Sequence, residues 1–169
     1  MMPIEIVQGD IARQPDLDAV VNAANARLMM GGGVAGAIHR AAGPKLEQVC
    51  RPLAPIEPGE AVITEGFDLP NRFVIHALGP RFGIDEPSDG LLAAAYRNAI
   101  TRCREHSVGS VGFPALSAGA FGFPLESAAR IAVETVAAHA PEDLRVRFVL
   151  FDPESRDVFS SQLERIRNS

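Results

Sequence analysis

Cysteine, lysine, clustered basic charge and long apolar runs are all scarce in this chain, and each shortage excludes something. Cys50 and Cys103 are its two cysteines, too few for a disulfide framework or a cysteine-based metal site. Cys103 falls on the apolar face of a helical pattern, so a buried free thiol is expected there. No stretch approaches the 18 or so consecutive apolar residues that mark a membrane span. The first residues pass straight into a strand pattern at Ile4, Ile6 and Val7, without the charged leader and apolar segment of a secretion signal. A soluble, reducing, cytoplasmic setting is the default expectation. Lys45 is the single lysine, and the arginines form no patch. With a formal net charge of −5, the surface repels phosphate backbones, which argues against duplex nucleic acid as a partner. The four histidines show no metal-ligand spacing, so neither a metal nor a cofactor is expected.

What is present is an ordinary globular composition. Hydrophobic residues make up 47% of 169 and charged residues 22%, enough for one full core and one domain over residues 1–169. Strand-like runs recur at residues 4–8, 17–22, 60–64, 72–78, 110–115 and 145–151, rich in Val, Ile and Phe and bounded by Gly, Pro and Asp. Helical spacing alternates with them. Residues 34–42 follow a glycine run. Leu92, Ala95, Tyr96, Ala99, Ile100 and Cys103 share one helix face, as do Ala128, Ile131, Ala132, Thr135 and Val136. Phe159, Leu163 and Ile166 repeat the spacing after Asp152-Pro153, which reads as an N-cap followed by proline at the first helical position. Residues 52–59 and 79–90 read as surface loops. There is no internal repeat or linker. Interleaved strands and helices predict an α/β fold whose sheet is covered on both faces and at least partly parallel.

Two glycine-rich loops, each at the end of a strand run, are the most informative features. The first is NAANARLMMGGGVAG over residues 22–36; the second is PALSAGAFGFP over residues 114–124. Glycine lets the backbone approach a ligand and turn its N–H groups inward. Successive N–H groups form a nest for an anion, above all where a helix N-terminus follows. Between them the loops carry one basic side chain, Arg27, so any phosphate is held mainly by main-chain dipoles. That design suits a small nucleotide-like ligand. Gly31, Gly33 and Gly36 match G-x-G-x-x-G, but on the second strand and without an acidic residue some 20 positions on. No Gly-Lys-Ser/Thr follows for a Walker A loop, and Ser117 is outside a G-x-S-x-G elbow.

Taken together, several segments resemble the macrodomain family, the ADP-ribose-binding modules. They are Gln8-Gly9-Asp10-Ile11, Val20-Val21-Asn22-Ala23-Ala24-Asn25, Gly31-Gly32-Gly33-Val34, Ala37-Ile38-His39-Arg40-Ala41-Ala42-Gly43, Val74-Ile75-His76 with Gly79-Pro80, Phe113-Pro114-Ala115 with Ser117-Ala118-Gly119, and Phe151-Asp152. The similarity runs along nearly the whole chain in order. It is nearest to bacterial MacroD-type members, with a viral-like Gly33-Val34-Ala35-Gly36. The resemblance implies a three-layer α/β/α fold around a six-stranded mixed sheet, a monomer, and ADP-ribose or an ADP-ribosylated protein as partner.

It also implies roles. Asp10 accepts from the adenine amine and Ile11 adds a main-chain contact, although an aspartate after a strand is also common turn chemistry. Phe151 packs near adenine, or else belongs to the core; Asp152 sits beside it. Asn25 binds a hydroxyl of the distal ribose, while Asn22 braces the loop through bonds to the backbone. Gly31, Gly32, Gly33 and Val34 clasp the diphosphate opposite Ser117, Ala118, Gly119, Ala120 and Phe121, with Phe121 over the distal ribose. His39 follows Ala35 by four residues on one helix face, and a lone helical histidine is more often structural than catalytic. His76, inside a strand, carries no chemistry.

The sequence departs from the family pattern at two positions. MacroD-type hydrolases usually carry aspartate where Ala35 stands, a residue thought to orient or activate water alongside the histidine matching His39. Met30 stands where those relatives commonly have glycine. The catalytic assignment is therefore Asn25 and His39. Two classes of function follow: a hydrolase acting on mono-ADP-ribosyl esters of Asp/Glu or on O-acetyl-ADP-ribose, and a reader that binds ADP-ribose without turnover. A phosphatase for ADP-ribose 1″-phosphate would use the same pocket.

Overall fold

Alternating apolar residues, one set toward each face, build the sheet. In a computed structural model describing residues 3–169, the strands are β1 (Ile4–Gln8), β2 (Ala19–Ala23), β3 (Ala61–Glu65), β4 (Phe73–Ala77), β5 (Ser110–Phe113) and β6 (Arg145–Leu150). The helices are α1 (Gly33–Ala42), α2 (Pro44–Cys50), α3 (Ser88–Glu105), α4 (Leu125–His139) and α5 (Pro153–Arg167). The sheet order is β1-β6-β5-β2-β4-β3. Every pairing is parallel except the antiparallel edge pair β3 and β4, so the sheet is six-stranded and mixed.

Val21, Ile75, Phe148 and Leu150 point into the larger core with α3, α4 and α5. Val20, Val74 and Val149 point to the opposite face and pack with residues of α1 and α2. Three layers result, α/β/α.

Several elements depart from the sequence expectation. The second strand starts at Ala19 rather than 17, because Leu17 closes a turn onto Gln14 and its carbonyl accepts from Asn71 Nδ2 at 2.8 Å. Helix α2 and a single 3-10 turn at Arg51–Leu53 lie where the sequence predicts no helix, the turn intruding on the surface loop expected at residues 52–59. Seven residues with only Leu46 and Cys50 buried give too short a period to detect. Helix α3 begins at Ser88, inside the other stretch read as loop, because Pro87 sets an extended entry and Gly90 masks the helical signal.

The ladder between β2 and β5 is confined to Ala19–Val111 and Val20–Gly112. Beyond it, β2 pairs only with β4 through Ala23, and β5 only with β6 through Phe113. The chain leaving β2 goes to α1 on one face; the chain leaving β5 goes to α4 on the other. Such a divergence opens a crevice at the carboxyl ends of the strands, the place where open α/β sheets take ligands.

Tyr96 fixes one wall of that crevice from below. Its ring is fully buried against Phe113 and Phe148. Its hydroxyl accepts from Leu116 N at 3.0 Å and donates to Pro114 O at 3.3 Å. Tyr96→Phe would strand both main-chain groups in a dry site, which costs about 1–3 kcal/mol. The expected result is a Tm lowered by about 2–4 °C for each kcal/mol lost. An unchanged Tm in a thermal melt would refute it.

Candidate functional site

At the β1 end of the crevice, Asp10 opens a tight turn. Its Oδ1 accepts from Ala12 N at 2.9 Å, and Oδ2 lies 3.6 Å from Arg13 Nε. The carboxyl group remains half exposed. Ile11 is buried, and a Cβ on Gly112 would sit 3.4 Å from its Cδ1. Its side chain therefore belongs to the core, leaving its backbone for any ligand. Phe151, directly after β6, is 88% exposed, which settles the choice between surface and core for that ring. Asp152 spends one carboxylate oxygen on capping α5, accepting from Ser155 N at 2.7 Å.

The first glycine loop is held by its own side chains. Asn25 closes a ring with Met29, accepting from its N–H at 3.1 Å and donating to its carbonyl at 2.8 Å. One N–H and one lone pair of the amide are left over for a ligand. Leu28, buried at φ 56°, anchors the turn. Gly36 lets the loop fold back onto α1: a Cβ there would stand 2.5 Å from Gly31 O. Met29 and Met30 are both about half exposed (47% and 49%). Helix α1 starts at Gly33, behind the N-cap Gly32, with no side-chain cap and no acid in its first turn. Its leading N–H groups are thus open to an anion.

The second loop is built the same way. Ser117, at φ 65°, turns its hydroxyl away from the crevice and donates to Pro80 O at 2.7 Å. Gly79 must lack a side chain because Ser117 Oγ occupies its Cβ position. Gly122 N and Phe123 N donate back to Gly119 O and Ser117 O, and Phe82 N donates to Phe121 O at 2.8 Å. Among the described residues, the amides of Ala118, Gly119, Ala120 and Phe121 find no protein acceptor, nor do those of Gly31 to Ala35. Gly79 and Tyr96 were missed as site-forming residues; a lone tyrosine on a helix face was the only available signal.

Behind the first loop lies a buried polar cluster. Asn22 Nδ2 meets His76 Nδ1 at 3.1 Å, and Thr64 Oγ1 and Cys50 Sγ approach His76 Nε2 at 3.0 and 3.7 Å. Thr64 donates to Glu65 O, so it accepts from His76 Nε2–H, and Nδ1 accepts from Asn22; this tautomer is assigned from the network. Asn22 was expected to bond the loop backbone; it bonds β4 instead. Its Oδ1, and Nε2 of His39, have no partner among the described residues. His39 and Ala35 are 2% and 5% exposed, on the side of α1 that packs toward this cluster.

Burial drives the titration of the whole layer. Desolvation pulls His76 down to about 3, with His39 adding repulsion, and lowers His39 as well. Both rings are neutral at pH 7. Desolvation pushes the Cys50 and Cys103 thiols up to about 11 and about 12, so neither is a ready nucleophile. Among the described residues no three His, Cys, Asp or Glu side chains converge as metal ligands would, and no helix is long and apolar enough to cross a membrane.

The sign of the acid response follows. Below pH 6.5 the unfolded chain binds a proton at position 76 that the folded chain refuses until about 3, so stability falls with pH across that window. The slope is about 1.4 kcal/mol per pH unit for each such proton. Urea midpoints should fall between pH 6.5 and 5, and His76→Gln should remove about one proton from that dependence. Equal slopes for the two proteins would contradict the assignment.

The chain is similar to known proteins over nearly its whole length. The Macro domain family model matches residues 21–132. A macro domain-containing protein of Streptomyces coelicolor is 45% identical, covering 96% of this chain and 99% of that protein. A protein of Cronobacter turicensis named O-acetyl-ADP-ribose deacetylase is 49% identical, over 90% of each. Among solved structures, the Oceanobacillus iheyensis macrodomain with ADP aligns at a TM-score of 0.93 and 36% identity, over 98% of this chain and 92% of that one. A variant of that macrodomain has been solved with ADPR. The chain belongs to the macro domain family.

Proposed function

We propose that this chain binds ADP-ribose along the carboxyl edge of the sheet and hydrolyses mono-ADP-ribosyl esters of Asp/Glu side chains, O-acetyl-ADP-ribose, or both. The observation that carries the reading is the pair of amide rows, residues 31–35 and 118–121, left without protein acceptors on either side of the β2/β5 divergence. The diphosphate lies between them. Strand order supports the rest of the reading. Asp10 and Phe151 follow β1 and β6, so adenine lies at that end. Asn25 follows β2, and Phe121, in the loop after β5, packs against the core on the α1 and α2 face, so the distal ribose is read as lying between them. The names of the relatives, an O-acetyl-ADP-ribose deacetylase and macrodomains with ADP or ADPR, support the ligand and the ester class.

The hydrolytic step needs no side-chain base under this reading. Ala35 cannot take a proton from water, and buried His39, its titration lowered by desolvation, is read as a brace for α1. Water is oriented by the ligand's own diphosphate and by loop amides, which is catalysis by proximity and fixed dipoles. Attack at the ester carbonyl breaks the acyl–oxygen bond, and the ribose oxygen leaves, taking a proton from the water. Attack at ribose C1″ breaks the C1″–oxygen bond, and the carboxylate leaves, taking the proton instead. Either route yields ADP-ribose and a carboxylic acid. Ala35 equally favours a second reading, a non-catalytic reader.

The test uses a glutamate-linked ADP-ribosyl protein with wild type, Gly33→Glu and Ala35→Asp. Gly33→Glu puts a carboxylate and a side chain at φ 56° into the phosphate cradle. Wild type should turn over at least about tenfold faster than this blocked variant, and Ala35→Asp should gain further, a general base being worth about 10²–10⁴-fold. Equal rates for wild type and Gly33→Glu would reject hydrolysis. ADP-ribose binding by calorimetry without turnover would leave the reader.

A further inference from the structure

We infer that Gln14 is a positioning residue for base recognition: it sets the turn that carries Asp10, through a relay anchored on Arg147. The inference rests on the ADP-ribose reading above and goes beyond it. Gln14 is 9% exposed and lies against the end of β1, its Nε2 3.5 Å from where a Cβ of Gly9 would be. Nε2 donates to Asp10 O at 2.9 Å, and Oε1 accepts from Arg147 Nη1 at 2.8 Å. The main-chain carbonyl of Gln14 accepts from Asn71 Nδ2 at 2.8 Å. Arg147 is itself immobilised, its side chain 11% exposed and bonded to Glu5 Oε1 at 2.9 Å and to both oxygens of Asp16 at 2.9 and 2.7 Å.

The relay requires a side chain with a donor at one end and an acceptor at the other, which glutamine supplies and glutamate does not. It acts on one feature of the ligand. Choosing adenine over a base with a carbonyl at the same position depends on one carboxylate lying within hydrogen-bond range of an exocyclic amine. The diphosphate and sugars are held elsewhere, by loops that Gln14 does not touch. Loosening the Asp10 turn should therefore weaken base preference and leave the remainder of the binding intact.

Calorimetry with ADP-ribose and with its inosine counterpart, which carries a carbonyl in place of the amine, separates these effects. Wild type should prefer ADP-ribose by about tenfold or more, the size of one hydrogen bond to a charged group. Gln14→Glu keeps shape and the Arg147 contact but removes the donor, and should cut the preference to about threefold or less. The loss should fall on ADP-ribose, with the inosine ligand held within about twofold. Gln14→Met keeps the length without either polar end or an added charge, and should lose as much. Asp10→Ala should abolish the preference, and Gln14→Glu on top of it should change nothing further. Preference retained in both Gln14 variants, or equal weakening of both ligands, would overturn the inference. Wild type that binds both ligands equally would overturn it while leaving ADP-ribose binding in place; wild type that binds neither would remove the proposed function as well.

Discussion

The site depends on the point where β2 and β5 part company. Two residue pairs hold these strands together, and past Val20 and Gly112 each strand continues with its other neighbour. Because both run in the same direction, the segments that leave them start side by side. Because α1 and α4 lie on opposite faces, those segments must turn away from each other. A cleft follows from connectivity before any particular side chain is considered. Gly112 belongs to the same constraint. It leaves room at the last paired position for Leu17 and Ile11, which seat the neighbouring turn and its Asp10.

Around the cleft, the loops divide labour between side chain and backbone. Asn25 clamps Met29, Ser117 donates to Pro80, and Tyr96 supports both Pro114 and Leu116. These side chains satisfy the loops from within, so the loops hold shape without consuming their outward amides. An anion entering the cleft meets donors that have already been positioned and need little reorganisation, which is where binding strength in such nests comes from. The arrangement also fits the acidic surface. A net charge of −5 would resist a polyanion at long range, whereas oriented dipoles act within a few ångströms on one diphosphate.

The parts of this design that were legible in the sequence are those with a period or a punctuation mark. Strand runs alternating with helical faces gave the α/β class, and the glycine runs marked both loops and their strand ends. Asp152-Pro153 located the start of α5. What escaped notice was tertiary. Ser117 reads as a loop residue in a glycine-rich segment, and nothing in its neighbours says that its hydroxyl points toward residue 80. Gln14 and Arg147 are 133 positions apart, and no local rule joins them. Helix α2 was missed because two buried residues in seven do not establish a helical stripe. His39 was placed on the correct face beside Ala35, yet spacing alone cannot tell whether that face looks into a cleft or into a core.

That last distinction carries the argument about chemistry. A histidine that donates or accepts protons near neutrality needs solvent or a charged partner to keep its titration in range. His39 has little of either: it is buried with its ring centroid 6.5 Å from that of His76, and desolvation lowers its titration against an opposing pull from the Glu47 carboxylate. Ala35, one turn earlier, offers nothing to polarise water. For the proposed hydrolysis, proton transfer through α1 is therefore a poor route, and acceleration would come from placing water between the ligand's diphosphate and the loop amides. A mechanism of that kind depends on loop geometry more than on the acidity of one group. The Gly36 contact with Gly31, the Asn25 ring and the Ser117 anchor then matter as much to rate as residues that touch the reacting carbon, because a misplacement of about 1 Å can cost about 10²-fold.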